Sequence, residues 1–190
     1  MKVVIIEGPD NCGKNSVIAS MLDLDSSAYI VHCVKPDTHD PKEAIIEQIH
    51  QYNNFIWKVK TCLERNVTDF VIFNRSWYSD YVYGPLYRHE KMDDIKRMIY
   101  LMEQQLIDLV GKENITFIML TSTSPVLLAE NEDGKSLSVG KIDVIKHEID
   151  EFNDLFELCD LDNKHKILVN KGDKFRDRVA IAADIKNVLK

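Results

Sequence analysis

A chain of 190 residues, 45% hydrophobic and 29% charged, is long enough for one α/β domain with a full core, and nothing in it reads as a linker, repeat or low-complexity tract. Its net charge of −7 argues against a broad surface that tracks DNA or RNA phosphates, while leaving room for a local basic pocket. The four cysteines, at 12, 33, 62 and 159, lack CxxC spacing, which disfavours zinc and disulfides. With no membrane-length apolar run, and no leader expected ahead of a buried first strand, they suggest a reducing, cytoplasmic setting.

Val3-Val4-Ile5-Ile6 is an unbroken apolar run, the pattern of a strand buried on both faces. Glu7-Gly8-Pro9-Asp10-Asn11-Cys12-Gly13-Lys14-Asn15-Ser16 follows, with Gly8, Gly13 and Lys14 spaced as in G-x-x-x-x-G-K. Strand, glycine loop and helix start in that order are the context of a phosphate-binding P-loop. There the glycines let successive N–H groups turn inward, the helix N-terminus adds partial positive charge, and Lys14 adds a mobile full charge. Gly8, Asn11, Cys12, Gly13, Lys14, Asn15 and Ser16 are therefore candidate nucleotide contacts. Asn15 stands where Ser or Thr ordinarily ligates Mg²⁺. Its amide oxygen is still a hard ligand, so Asn15 is the candidate metal residue of a weakened site.

Residues 14 to 24 read as a short helix and Tyr29 to Val34 as a second strand. Asp40-Pro41-Lys42-Glu43 has the arrangement of a capping box, and Ile45, Ile49, Tyr52, Ile56, Val59 and Leu63 behind it stripe a long amphipathic helix. Phe70 to Phe73 is a third buried strand. Asp93-Asp94 starts a helix striped by Ile95, Met98, Met102, Leu106 and Leu109 and stopped at Gly111. Ile115 to Leu120 is the fourth strand, Pro125 to Glu130 a short helix, and residues 131 to 140 a loop without apolar period. A helix carrying Ile142, Ile145, Ile149, Phe152 and Phe156, a fifth strand at Ile167-Leu168-Val169 and a helix over 174 to 189 complete the chain. Short buried strands alternating with helices predict a parallel sheet wrapped on both faces, with ligands at the carboxyl ends of its strands.

The third strand runs into Asn74-Arg75-Ser76-Trp77-Tyr78-Ser79-Asp80-Tyr81-Val82-Tyr83-Gly84-Pro85-Leu86-Tyr87-Arg88. On the same sheet edge as the P-loop, Arg75 is a natural fork for a phosphate. The aromatics, Tyr78 and Tyr83 among them, offer flat faces for a base or sugar, or else pack the start of a helix. The six histidines show no metal spacing, and each reads as solvated or packed. The acids at 130, 132 and 133 read as a solvated loop.

Two of these stretches resemble a known family. Glu7-Gly8-Pro9-Asp10-Asn11-Cys12-Gly13-Lys14 looks like the E-G-x-D-x-x-G-K loop of thymidylate kinases. Asn74-Arg75-Ser76 with Ser79 is similar to their D-R-x-x-x-S segment, and equally to the E-R-S segment of deoxynucleoside kinases. Lys35-Pro36 stands where both carry Glu-Pro. The order of elements is similar along the whole chain, whereas close matches are confined to the P-loop and the Asn-Arg-Ser stretch. The resemblance implies a P-loop NTPase fold with a five-stranded parallel sheet, helices on both faces and a short lid at 131–140, over a single domain, 1–190. It also implies ATP and Mg²⁺ as cofactors, catalytic roles for Lys14, Arg75 and Asp10, an acceptor phosphate on Arg75 and an acceptor sugar near Asp10. Asn170 and Lys171 would border the adenine, and a homodimer would be formed.

The departures weigh one family against the other. A nucleoside kinase needs a carboxylate to take the 5′-hydroxyl proton, and the position of that Glu holds Lys35. A monophosphate kinase needs positive charge instead, which Lys35, Arg75 and Arg88 offer. Asp37, close to Lys35, keeps the nucleoside reading open, with Glu7 as the other carboxylate. Asn74 replaces the acid that helps hold Mg²⁺, leaving Glu7 and Asp80 as substitutes. The P-loop lacks arginine, and the lid offers only Lys135 and Lys141 as point charges. The expectation is transfer of the γ-phosphoryl of ATP to a deoxynucleoside monophosphate, a pyrimidine one, with no nucleic-acid or membrane partner. A deoxynucleoside kinase and a nucleotide-binding module without catalysis are the alternatives.

Overall fold

The computed structural model describes residues 1–24, 28–38, 40–132, 134 and 136–189. In chain order the elements are β1 (Lys2–Glu7), α1 (Lys14–Leu24), β2 (Ala28–His32), α2 (Pro41–Arg65), β3 (Phe70–Asn74), α3 (Ser79–Arg88) and α4 (Met92–Val110). They continue with β4 (Ile115–Thr121), α5 (Pro125–Glu130), α6 (Ile142–Leu158), β5 (Lys164–Leu168), β6 (Asn170–Lys171), β7 (Lys174–Phe175) and α7 (Arg178–Val188). Five strands form one parallel sheet, as expected, and their order is β2-β3-β1-β4-β5; β6 pairs antiparallel with β7 in a small hairpin.

Alternate residues of the central strands feed two cores. Val3 and Ile5 of β1 face one side with Phe73 and Phe117, against α2, α3 and α4. Val4 and Ile6 face the other with Ile72 and Ile118, against Val17 and Ile18 of α1 and Ile181 and Ile185 of α7. Helix α6 serves both, through Phe152 and Leu155 on one side and Ile145 and Ile149 on the other. No described helix is long and apolar enough to cross a membrane.

Several local readings are corrected. The buried face of α2 is Ala44, Gln48, Tyr52, Phe55, Val59 and Cys62, rotated from the stripe the sequence suggests, so only Tyr52 and Val59 are shared. The rotation puts Tyr52 and Phe55 into an aromatic cluster with Phe73 and Trp77, edge-to-face except for the tilted Phe55–Phe73 pair, and brings polar Gln48 to Asp80. The N-cap of α2 is Asp40, which accepts from the N–H groups of Lys42 and Glu43 at 2.9 and 3.2 Å. The box is not closed, however, because the Glu43 carboxylate accepts from Thr38 Oγ1 at 2.8 Å and Thr38 takes the Asp40 N–H at 3.1 Å. The fifth strand starts earlier than its apolar residues, at Lys164, because it is an edge strand whose outer positions are polar. The hairpin strands, two residues each, are too short to carry an apolar period, and α7 begins only after them.

The P-loop is pinned against β4. Gly8 has φ +140°, and a Cβ there would lie 2.0 Å from the Leu120 carbonyl oxygen. Gly13 has φ +73° with nothing within 4 Å of its hypothetical Cβ. In urea unfolding, Gly8→Ala is therefore expected to lose about 3 kcal/mol or more, and Gly13→Ala only about 1–2 kcal/mol, the left-handed backbone cost alone.

Candidate functional site

The end of β1 and the start of α3 are joined through one carboxylate. Glu7 is fully buried and accepts from Ser76 N–H at 2.7 Å, Ser76 Oγ at 2.8 Å and Ser79 Oγ at 2.6 Å. Burial pushes its carboxyl above the ordinary range, opposed by Arg75. With its oxygens committed in this way, Glu7 is poorly placed to serve as metal ligand or base. Directly ahead of Ser76, Arg75 leaves β3 with φ +66°, an uncommon conformation for a side-chain-bearing residue, and turns back under the P-loop. Its guanidinium donates to the Gly8 carbonyl at 3.1 Å and Ser79 Oγ at 3.3 Å, pairs with Asp10, and lies 4.9 Å from the centre of the Tyr83 ring.

Lys14, the first residue of α1, curls over the same loop and donates to the carbonyls of Gly8 at 2.8 Å and Pro9 at 2.6 Å. Burial, followed by the Arg75 charge, lowers its ammonium to about 8. A bound phosphate would favour the charged form and draw Lys14 off these carbonyls. Cys12 points into the core, its thiol pushed up to about 11 by burial, so only its backbone can face a ligand. Asn11, at φ +63°, and Gly13 make the turn that opens the loop.

A cavity of about 450 Å³ lies over the loop, lined by Asp10, Asn11, Gly13, Lys14, Asn15, Ser16, His32, Cys33, Asn74, Arg75 and Asn131. A second, of about 150 Å³, is lined by Lys35, Gln48, Tyr52, Asp80, Tyr83 and Arg88, among others, under Leu137. Asp10, Cys33 and Arg75 line both. In the second cavity Asp80 accepts from Gln48, from the Tyr52 hydroxyl at 2.5 Å and from Arg88 at 2.6 Å, and burial pushes it up to about 7 against the pull of Arg88. Arg88 also pairs with Glu90 at 2.7 Å. Gln48 Oε1 is buried without a partner. Lys35 stands exposed at the rim.

Other expected site residues lie elsewhere. Tyr78 is buried facing away from both cavities, with its hydroxyl on Glu103, and lines a separate cavity between α4 and α6 together with Tyr81. Trp77 is core. Asn170 is buried and fully engaged: it accepts from Ser122 Oγ and Thr123 N–H, each at 3.1 Å, and donates to Thr123 Oγ1 at 3.0 Å and the Gly172 carbonyl at 2.7 Å. It locks the hairpin to the end of β4 and, like Lys171, does not line the cavity over the P-loop. Asp37 is exposed and lines neither cavity.

The described residues between 131 and 140 fold down onto the P-loop. Asn131 donates to the Asn11 carbonyl at 3.1 Å, Asn11 donates to Glu132 at 3.2 Å, and Leu137 N–H reaches Asp10 at 3.4 Å. Glu132, expected as a solvated acid, instead clasps this loop, accepting also from Gly134 N–H at 2.8 Å and from Ser136. The Ser136 bond is the main reason its carboxyl is lowered to about 2. Lys135 lies outside the described residues, and Lys141 is exposed at the N-cap of α6.

Two further residues escaped sequence reasoning. His32 ends β2 in register with Asn74 and lines the larger cavity, with its Nδ1 3.0 Å from Asn74 Nδ2. Its only signal was its place at the carboxyl end of a strand. Glu148 of α6 is buried, accepts from the Tyr87 hydroxyl and leaves Oε2 without a partner. It reads as one more acid in an amphipathic helix, so no pattern marks it.

The donor set does not fit a magnesium ion held by the protein. Asn15 Oδ1, the expected ligand, accepts from Asn74 Nδ2 at 2.6 Å, and both residues are neutral. Among the described residues no group of three or more His, Cys, Asp or Glu could hold a metal. Sites for Mg²⁺ ordinarily bring one or two carboxylates to it. Glu7 and Asp80, the substitutes, are committed elsewhere.

No family model and no curated protein sequence matches this chain. Solved structures do. The YorR protein of Bacillus subtilis, solved in complex with phosphorylated GDP, aligns over 98% of this chain and 95% of its own at 18% identity and a TM-score of 0.68. Thymidylate kinase of Ehrlichia chaffeensis aligns over 100% and 98%, at 12% identity and 0.67. Polyphosphate kinase 2 of Arthrobacter aurescens aligns over 98% of this chain and 65% of its own, at 11% and 0.59. The fold is thus an α/β, P-loop NTPase-like one.

Burial pushes the Glu148 carboxyl up to about 7. Between pH about 4.5 and 7 the folded chain then holds a proton that the unfolded chain has released, so stability falls as pH rises through that window. Glu148→Gln keeps an acceptor for Tyr87 and removes the charge. Melting curves across pH are expected to show it equal to the parent near pH 4 and more stable by about 3 kcal/mol at pH 8.

Proposed function

We propose that this chain is a kinase domain that transfers the γ-phosphoryl of ATP to a deoxynucleoside monophosphate. The observation that carries the reading is the meeting of two cavities at Arg75 and Asp10, one over a P-loop and the other rich in cations. Phosphoryl transfer needs a donor and an acceptor in line, with positive charge at their junction. Lys14 and the loop N–H groups would hold the donor's phosphates. Arg75, freed from Asp10, would bridge the transferring group and the acceptor phosphate.

Lys35, Arg75 and Arg88 in the smaller cavity support an acceptor that is itself anionic. The thymidylate kinase neighbour supports a pyrimidine base. Cys33 at the junction is no rival nucleophile, because burial pushes its thiol up to about 12. At about 150 Å³ the acceptor cavity is smaller than the roughly 300–1,000 Å³ of ligand pockets. Asn131, Glu132 and Leu137 would therefore lift, releasing Asp10 and Asn11, and close again to exclude water. A hydroxyl acceptor is a second reading, favoured by the carboxylate of Asp10 at the same junction.

ADP release from ATP, against deoxynucleosides and their monophosphates, tests this. Turnover with a pyrimidine monophosphate is expected. Turnover with nucleosides only would install the second reading, and silence with ATP bound would leave a module that binds without transfer. Arg75→Ala is expected to lower kcat about 100-fold or more, the usual cost of removing a charge-stabilising donor, while ATP affinity changes far less. Hydrogen exchange at residues 136–140 is expected to rise with the acceptor absent and fall when both substrates are present.

A further inference from the structure

Three strand and helix ends converge on one side of the larger cavity. Asn74 closes β3, His32 closes β2 in register with it, and Asn15 is the second residue of α1. Asn74 Nδ2 uses both its hydrogens inward, to Asn15 Oδ1 at 2.6 Å and to His32 Nδ1 at 3.0 Å. An amide nitrogen can only donate, so His32 accepts at Nδ1 and its proton sits on Nε2. The Asn15 oxygen and the His32 lone pair are thereby turned away from a ligand. What remains for the cavity is the Asn15 amide N–H pair and the His32 Nε2–H, with the Asn74 carbonyl as the one oxygen left.

We propose that Asn15, Asn74 and His32 form an anion-facing triad in which Asn74 orients the other two, so that the Asn15 amide N–H groups and the His32 Nε2–H contact the nucleotide's phosphates directly, in the place where a magnesium ion would otherwise stand. The inference rests on the reading of this cavity as the nucleotide site. A hydroxyl beside a carboxylate repels phosphate unless a cation stands between them. Two amides and an imidazole N–H carry no such charge, and the donors of Asn15 and His32 add to Lys14, Arg75 and the N-terminus of α1. The consequence is a site that takes polyphosphate without a divalent cation.

The test is calorimetric titration of the protein with ATP and with inorganic tripolyphosphate, each in EDTA and in excess Mg²⁺. Affinities in EDTA within about threefold of those in Mg²⁺ are expected. His32→Ala should weaken binding in EDTA by about tenfold, the loss of one hydrogen bond to an anion. Asn74→Asp, which restores a carboxylate, should weaken binding in EDTA by more than tenfold and regain it with Mg²⁺. Nitrogen-15 spectra of the unliganded protein should show His32 as the Nε2–H tautomer, a readout independent of turnover and of ligand. ATP binding that collapses in EDTA overturns the triad and leaves the nucleotide reading standing. Tripolyphosphate bound in EDTA with ATP refused overturns the nucleotide reading and keeps the triad. No binding of either under any condition overturns both, as an Nδ1–H tautomer overturns the triad alone.

Discussion

Glu7 is the constraint on which the site depends. A carboxylate at the end of the central strand, wholly out of water, is tolerable only with its oxygens occupied, and Ser76 and Ser79 supply three donors. Those bonds fix where the chain goes after β3. They force the turn in which Arg75 takes its left-handed backbone and swings its guanidinium beneath the P-loop. Without Glu7 the loop and the arginine would be two features on neighbouring strands. With it they share one carbonyl, that of Gly8, which accepts from both Lys14 and Arg75.

The site is internally compensated. Arg75 is paired with Asp10, Arg88 with Asp80 and Glu90, and Lys14 rests on two carbonyls. A polyanionic ligand would enter by exchange, replacing these partners rather than filling a bare positive hole, and that exchange favours ligands with several phosphates over single anions. Asp10 is central to it because it also receives the Leu137 N–H from the overlying loop. The Arg75 pairing and the hold on the overlying loop are thus joined through one side chain, so in the proposed function the release of one would loosen the other.

Much of this was readable from the chain. The P-loop follows from glycines, a lysine and a buried strand within sixteen residues, all local in sequence. The parallel sheet follows from short apolar runs separated by helical periods, and Arg75 from its position directly after such a run. Less legible were features in which a residue serves a distant partner. Gln48 looks misplaced on an amphipathic helix until Asp80 is seen opposite, and the face of α2 turns to accommodate it. Tyr78 and Tyr83, five residues apart around α3, read alike, yet one faces the α4–α6 side and the other the smaller cavity beside the P-loop.

The sequence by itself determined the layered α/β fold, the phosphate-binding loop and its lysine, and the departure at Asn15 and Asn74, because each depends on residue type and spacing along a few turns of chain. Tertiary structure decided that these two asparagines bond to each other and to His32, that Asn170 is a lock for the hairpin, and that Glu132 is a clasp. Those roles depend on groups 42 to 121 residues apart meeting at the carboxyl edge of one sheet, as His32 meets Asn74 and Asn11 meets Glu132. A side chain's type says which bonds it can make. Only the packing of helices on the sheet says which of them are already taken.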